Sequence, residues 1–378
     1  LRESWFEKHP RSSRLGLALI VFLLLEVLVR ALVAVDLLPY QRYQTGKFPE
    51  FIDYIDRDIG LWRYSDSQVD MFESCMSVSY ESNKYGAFDR ERAAFGSDRV
   101  VVLGDSFAAG DWMHFEKRFP QLLELRTGRA HLNFAVGGTG TVHQWQVYQH
   151  KVQPFFEHEY VFLFVFPFND FENNRPGSAY IPTLKRASDS EGYELYFPIA
   201  FEDRPRDEKT LGTRIKNTID NTLYIANILR WAAREFKDWR RGNKVVSSSS
   251  ASTSHYDSFV DDDFDVFITA VDGIRTLAED RQFFVFTIPY FKDFDYAREN
   301  GYDFELVNRL NEYAAPFENV HIVDILPEFL DHAASNNLSY SDYTLGCDLH
   351  WNELGHKVAA DAVFNGVSEI VYLDKEAD

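Results

Sequence analysis

The stretch VVVLGDSFAAGDW, residues 100–112, runs a β-branched apolar segment into Gly104-Asp105-Ser106 and then into small residues. A short apolar run bounded by Arg99 on one side and Gly104 on the other is the pattern of a strand buried on both faces of a parallel sheet. Ser106 then has two readings. Alone, it reads as the cap of the helix that follows; at the end of a buried strand, a tight turn can instead lift its hydroxyl above the sheet.

Four further runs repeat the strand pattern: AHLNFAV (130–136), YVFLFVFP (160–167), QFFVFTIP (282–289) and NVHIVDIL (319–326). Helical periodicity lies between and around them, at about 115–127, 140–153, 212–240, 262–280, 302–315 and 352–371. Strand followed by helix, repeated, implies right-handed crossovers and a parallel sheet covered on both faces. The expected fold is therefore α/β, a doubly wound, flavodoxin-like three-layer sandwich with a central parallel sheet of about five strands. Its functional residues should lie just beyond the carboxyl ends of those strands.

The chain of 378 residues carries a formal net charge of −20, which repels phosphate backbones and excludes nucleic acid as a partner. Its 33 Phe, 20 Tyr and 7 Trp are expected mostly in the core of a large sheet sandwich, with a minority free to line a sugar-binding groove. From Leu15 to Leu38 the sequence is almost wholly apolar, long enough to cross a hydrocarbon core of about 30 Å as a helix. It lacks the short apolar region and small-x-small site of a cleaved signal peptide. Arg2, Lys8, Arg11 and Arg14 precede it, against Glu3 and Glu7, which favours a cytoplasmic N-terminus and an extracytoplasmic main domain. Glu26 and Arg30 interrupt the apolar stretch at i, i+4, either as a self-satisfied pair or as a contact with a second membrane protein.

The expected organisation is a flank at 1–14, a transmembrane helix at 15–39, a connecting segment packed on the domain at 40–98, and the α/β domain at 99–378. An insertion at about 175–260 ends in the serine-rich VVSSSSASTS (245–254) and reads as a lid or partner surface. The acidic run DDDFD (261–265) lacks a calcium-loop pattern and reads as a helix start, and no His/Cys grouping suggests a metal or another cofactor. Cys75 and Cys347 permit one disulfide outside the cytoplasm, or two buried thiols.

Three strand ends carry unusual residues. Ser106 follows the first, Gly137 and Gly138 in NFAVGGTGT (133–141) follow the second, and Asn169 in FPFND (166–170) follows the third. Together they offer hydrogen-bond donors around one hydroxyl, the arrangement needed where negative charge develops on a carbonyl oxygen. GCDLHWNELGH (346–356) supplies a base: Asp348 and His350 are neighbours but one, so in an extended turn the carboxylate can hold the imidazole while its other nitrogen meets Ser106. His143, His356 and Asp105 carry no comparable pattern, and Asp105 reads as a cap or brace for the turn.

A GDS motif, an Asn-x-x-x-x-Gly block, an ND block and a C-terminal Asp/His pair, in that order, resemble the SGNH or GDSL superfamily of esterases and acyltransferases over about residues 99–371, the insertion excepted. The resemblance implies Ser106 as nucleophile, Asp348 and His350 as acid and base, and Ser106, Gly138 and Asn169 as the oxyanion hole. Pro167 stands where the ND block usually has Gly, and Asp348-Leu349-His350 replaces Asp-x-x-His. The shortened spacing, the following Trp351-Asn352, the apolar N-terminus and the lead-in NKYGAFDRE (83–91) are similar to the membrane-anchored subgroup that acetylates bacterial surface polysaccharides. That likeness implies a periplasmic, serine-dependent O-acyltransferase or esterase acting on acyl, chiefly acetyl, esters of a glycan, beside a multispanning membrane acyltransferase. The alternative is a non-catalytic subunit of this fold within a larger membrane assembly.

Overall fold

A computed structural model describes residues 9–35, 37–40, 43, 54–73, 76–96, 98–175, 181–187, 192–197, 210–245, 254–346 and 348–372. Cys75, Cys347 and most of the serine tract lie outside them. The chain opens with helix α1 (Pro10–Ala34), followed by two antiparallel hairpins, β1 (Tyr54–Asp56) with β2 (Gly60–Trp62) and β3 (Gln68–Glu73) with β4 (Met76–Glu81). Then come β5 (Arg99–Leu103), the one-turn helix α2 (Ser106–Ala109), α3 (Phe119–Thr127), β6 (Ala130–Asn133), α4 (Thr141–Val147), β7 (Tyr160–Val165) and α5 (Pro167–Asn173). The inserted region holds the hairpin β8 (Thr183–Arg186) with β9 (Tyr193–Tyr196) and the helices α6 (Leu211–Thr222) and α7 (Tyr224–Val245). The remainder is α8 (Asp261–Ala278), β10 (Gln282–Thr287), α9 (Phe291–Asn300), α10 (Glu305–Ala314), β11 (Val320–Asp324), α11 (Leu326–Asn336) and α12 (Glu353–Val367).

The described residues divide into two compact units, one built on α1, α6 and α7 and the other on the central sheet. The sheet has the order β11-β10-β7-β5-β6 with every neighbouring pair parallel, which is the flavodoxin-like order expected from the sequence. The order reverses beside β5, where the chain steps outward to β6 and then returns to β7. Loops leaving β5 and β7 diverge there and leave room for a site.

All residues of β5 and β7 are buried, so each side chain needs an apolar partner whichever face it points to. Much of that packing is aromatic. Phe162 and Phe164 on β7 sit opposite Phe284 and Phe286 on β10, with ring centroids 5.2 and 4.5 Å apart, and Phe119 of α3 packs on Phe164 at 4.7 Å. Part of the high phenylalanine content thus goes into packing against the sheet.

The segment before the sheet is more ordered than its lack of periodicity implies. Ile59, Trp62, Val69, Val78, Tyr80 and Phe88 join the main core, and Arg63 donates to the Ala135 carbonyl oxygen at 2.8 Å. Several helices escape the periodicity reading, among them α9 and α11. α9 is only 10 residues long and is started by a capping box between Tyr290 and Asp293. α11 begins inside the run read as a strand: half-buried Asp324 accepts from the Leu326 N–H at 3.1 Å and ends β11 there. The acidic run 261–265 opens α8, with Asp261, Asp262 and Asp263 paired to Arg309, Arg186 and Arg175.

In the other unit, the helix expected over 212–240 is broken at Leu223, whose φ and ψ of −100° and 107° are extended. The break exposes the first N–H groups of α7, and Glu26 of α1 takes them: Tyr224 N–H at 2.8 Å and Ile225 N–H at 3.0 Å. Arg30 completes the arrangement, donating to Glu26 at 3.0 Å and to the Thr222 carbonyl oxygen at 2.6 Å. The pair in the apolar stretch is met by the chain's own insertion.

Phe164 is 1% exposed and touches rings on two sides, so Phe164→Ala should cost about 3–5 kcal/mol, read by urea titration of the full chain in mild detergent. Phe95→Ala, at a ring 79% exposed, should leave the same midpoint nearly unchanged.

Candidate active site

The turn after β5 is fixed by Asp105. It is Asp105, not Ser106, that caps α2: its Oδ1 accepts the Phe107 N–H at 2.9 Å, and Ser106 becomes the first helical residue. Its Oδ2 accepts from the Asn169 side-chain amide at 3.1 Å, tying the end of β5 to the start of α5. Pro167 sits in the first turn of α5, where a missing N–H leaves no helical bond unmade. Its presence in place of Gly therefore leaves Asn169 in reach of the turn.

The loop after β6 comes in from the other side. Val136 N–H donates to the Gly104 carbonyl oxygen at 2.9 Å, and Asn133 donates to the Ala108 carbonyl oxygen at 2.9 Å. Gln144 of α4 accepts the Gly104 N–H at 3.0 Å and donates to Thr139 at 2.6 Å, so one side chain spans both strand ends. A methyl group at Gly137 would collide with the Asp111 carboxylate and lie 3.3 Å from the Ser106 Cβ, and Gly138 has φ of +73°. This loop can approach Ser106 closely only without side chains. Among the described residues, the N–H groups of Ser106 and Gly138 have no acceptor within the chain, and Asn169 has a second amide hydrogen beyond the one given to Asp105.

Across this turn stands His350. Its Nε2 lies 2.7 Å from the Ser106 Oγ, and its Nδ1 is hydrogen-bonded to the Asp348 carboxylate, which also accepts the His350 backbone N–H at 2.8 Å. The imidazole packs 5.0 Å from the Phe107 ring, which Trp351 flanks edge-on at 4.9 Å. All five residues expected at the site belong to one unit: Ser106, Gly138 and Asn169 follow β5, β6 and β7, and Asp348 and His350 come from the loop that leads into α12. His143 and His356 lie elsewhere: His143 donates to the Leu61 carbonyl oxygen at 2.7 Å, and His356 accepts the Phe119 N–H at 3.3 Å. Burial lowers both to about 4 and about 3, so they are neutral packing groups.

The electrostatics centre on the imidazole. Burial opposes the charged form of His350, but the hydrogen bond and charge of Asp348, with Asp111 and Asp105 behind it, outweigh this and raise its pKa above 6.5. Burial pushes Asp348 up, yet its bonds to His350 more than compensate and hold it below the usual carboxylate range. Asp105 goes the other way, pushed to about 6 by burial despite the Phe107 N–H, the His350 charge and Asn169. Burial, and then Asp105, raises Asp170, whose carboxylate accepts the Phe166 N–H at 2.7 Å.

Asp111 went unnoticed in the sequence although it lies five residues after Ser106. Burial raises its pKa, against the pull of His350, Arg63 and Arg118. Arg63 is supplied by the segment before the sheet, so no spacing in the sequence could join it to Asp111.

The family model described as GDSL-like lipase/acylhydrolase matches residues 102–358, a span that holds Ser106, Gly138, Asn169, Asp348 and His350. This chain belongs to the GDSL-like lipase/acylhydrolase family. No curated protein matches it. Among solved structures, the GDSL-family chain is similar to a G-D-S-L lipolytic protein from Veillonella parvula, at 10% identity and a TM-score of 0.38, over 73% of this chain and 100% of that one. It is also similar to a family 3 carbohydrate esterase from Clostridium thermocellum, at 10% identity and a TM-score of 0.37, over 73% and 98%.

As a base, His350 must be neutral, so a raised pKa moves the acid limb of a rate profile upward. The kcat/KM of this GDSL-family protein on an acetyl ester should rise through an apparent pKa above 6.5. Asp348→Asn removes the strongest upward influence, so the limb should move to lower pH while the rate falls about 10³- to 10⁴-fold.

Proposed function

We propose that the protein is a serine-dependent O-acyltransferase or esterase that acts on acyl, chiefly acetyl, esters of a sugar or cell-surface glycan. The observation that carries this reading is the 2.7 Å contact between His350 Nε2 and Ser106 Oγ, with Asp348 on the other imidazole nitrogen. Such a relay is what a serine needs to attack a carbonyl near neutral pH. It also counts against the non-catalytic alternative, for which a separated Ser106 and His350 would be expected.

In the reaction, the Ser106 Oγ attacks the acyl carbon while His350 Nε2 takes the hydroxyl proton. Charge on the carbonyl oxygen is met by the N–H groups of Ser106 and Gly138 and the Asn169 amide. The donor's C–O bond breaks, its oxygen takes the proton back from His350, and the acyl group stays on Ser106. Water or a sugar hydroxyl then attacks the acyl-enzyme, gives its proton to His350, and leaves with the acyl group as His350 reprotonates Ser106. Hydrolysis and transfer share these steps and differ in the acceptor.

A glycan is favoured by the rim. Phe168, next to Asn169, is 45% exposed and packs against His255 and Tyr290 at 4.9 and 4.8 Å, presenting an aromatic surface beside the site. The location we propose follows from α1, a 25-residue helix apolar enough to cross a membrane, with Arg11 and Arg14 at its start. It would hold the N-terminus in the cytoplasm and the catalytic unit outside, where a multispanning acyltransferase could deliver the acyl group.

Ser106→Ala should reduce p-nitrophenyl acetate turnover at least about 10³-fold while leaving the circular dichroism spectrum unchanged. Undiminished turnover would overturn the assignment. Phe168→Ala should raise KM for an acetylated oligosaccharide about 5- to 50-fold and leave kcat/KM for p-nitrophenyl acetate within about twofold.

A further inference from the structure

Helices α6 and α7 are built inside out. On α6, Asn217 and Asp220 are 4% and 6% exposed, whereas Leu211, Ile215 and Ile219, spaced i, i+4, i+8 along one stripe, are 69%, 53% and 47% exposed. On α7, Asn227 is fully buried and Leu229 is 65% exposed. These polar groups bond to one another: Arg230 donates to Asn217 at 2.9 Å and to Asp220 at 2.5 Å, and Asn227 donates to the Asp220 carbonyl oxygen at 3.0 Å. Asn221 adds a reciprocal pair with the Tyr43 backbone, at 2.7 and 2.6 Å. In water the reverse distribution is stable, because each exposed Leu or Ile forgoes the gain from removing its apolar surface from solvent.

Where this hairpin docks says what covers the stripe. The α6–α7 turn is fastened to Glu26 and Arg30, and Tyr224 receives the Arg30 guanidinium over its ring at 4.3 Å. Glu26 lies within the apolar stretch Leu15–Leu38, so the turn is drawn to the depth of that stretch. The free sides of α1, such as Leu17, Leu24 and Leu28 at 63%, 65% and 53% exposure, belong to the same compact unit. One solvent should therefore suit both surfaces. The sequence of α7 also carries six Lys and Arg against two acidic residues in a chain of net charge −20, a balance that fits anionic headgroups.

We propose that α6 and α7 form a lipid-embedded hairpin, with the Leu211–Ile215–Ile219 stripe and Leu229 against acyl chains. The proposal rests on the reading of α1 as a membrane span. It makes the insertion a second membrane attachment, one that fixes α1 about its own axis because the Glu26 and Arg30 contacts allow a single face to meet the turn.

The test uses the full chain in nanodiscs of phosphatidylcholine and phosphatidylglycerol that contain a phospholipid with a diazirine in its acyl chain. After photolysis, peptides covering 211–233 should carry label within about threefold of those covering α1. Ile215→Glu combined with Ile219→Glu should lower label on 211–233 by at least about fivefold, with label on α1 and hydrolysis of p-nitrophenyl acetate unchanged. Label on α1 alone, or label on 211–233 unaffected by the double variant, overturns the hairpin proposal and leaves the anchor standing. Absence of label from both overturns the anchor reading itself. Label on 211–233 in nanodiscs that disappears in native membranes shows another protein covering the stripe, and overturns the lipid as its occupant.

Discussion

Asp105 holds the Phe107 N–H with one carboxylate oxygen and the Asn169 amide with the other, and this double attachment ties together the ends of β5 and β7. It sits where the strand order reverses, the place at which neighbouring loops would otherwise diverge. With α2 capped by Asp105, Ser106 occupies the first helical position, its hydroxyl toward His350 and its N–H left without an acceptor in the chain. The loop at Gly137 and Gly138 closes the third side, since Gly104 and Val136 continue the β5–β6 pairing past the last strand residue. A change at Asp105 would therefore disturb the cap and the Asn169 orientation at once.

The same centre concentrates carboxylates. Asp105, Asp111 and Asp348 all act on His350, and Asp105 also opposes the ionisation of Asp170. Only Asp348 is held in the charged form by direct bonds to the imidazole, while burial biases Asp105, Asp111 and Asp170 toward the neutral acid. One fixed anion beside one imidazole suits proton transfer, because further full charges would hold the proton on His350 and weaken it as a base. The buried guanidinium groups of Arg63 and Arg118 also bear on Asp111, lowering its pKa against the upward push of burial.

A charged pair within an apolar stretch has to be satisfied from somewhere, and here the solution shapes a whole segment. Glu26 takes the first two N–H groups of α7, and Arg30 takes the last carbonyl of α6, so the break at Leu223 serves both helices' unpaired ends. An uninterrupted helix over that region would present no free N–H groups to Glu26. The insertion is thus built to the requirements of α1.

By itself the sequence determined the five strands of the sheet, their parallel alternation with helices, the placement of Ser106, Gly138 and Asn169 after three of them and that of Asp348 and His350 before the last helix, because sheet strands need apolar runs and their ends are marked by Gly, Asn and Asp. It also marked Glu26 and Arg30 as anomalous, since charge in an apolar run is visible without a fold. What only the tertiary structure decided is where partners distant in sequence meet. Arg63 and Arg118 bear on Asp111, Asp105 caps while Ser106 is left free, and Glu26 ends one helix nearly two hundred residues away. The helix over 212–240 looked continuous because its propensity is continuous, and it breaks because a carboxylate elsewhere in the chain competes for its N–H groups. Local pattern records what each segment prefers alone; hydrogen bonds to remote side chains decide where that preference stops.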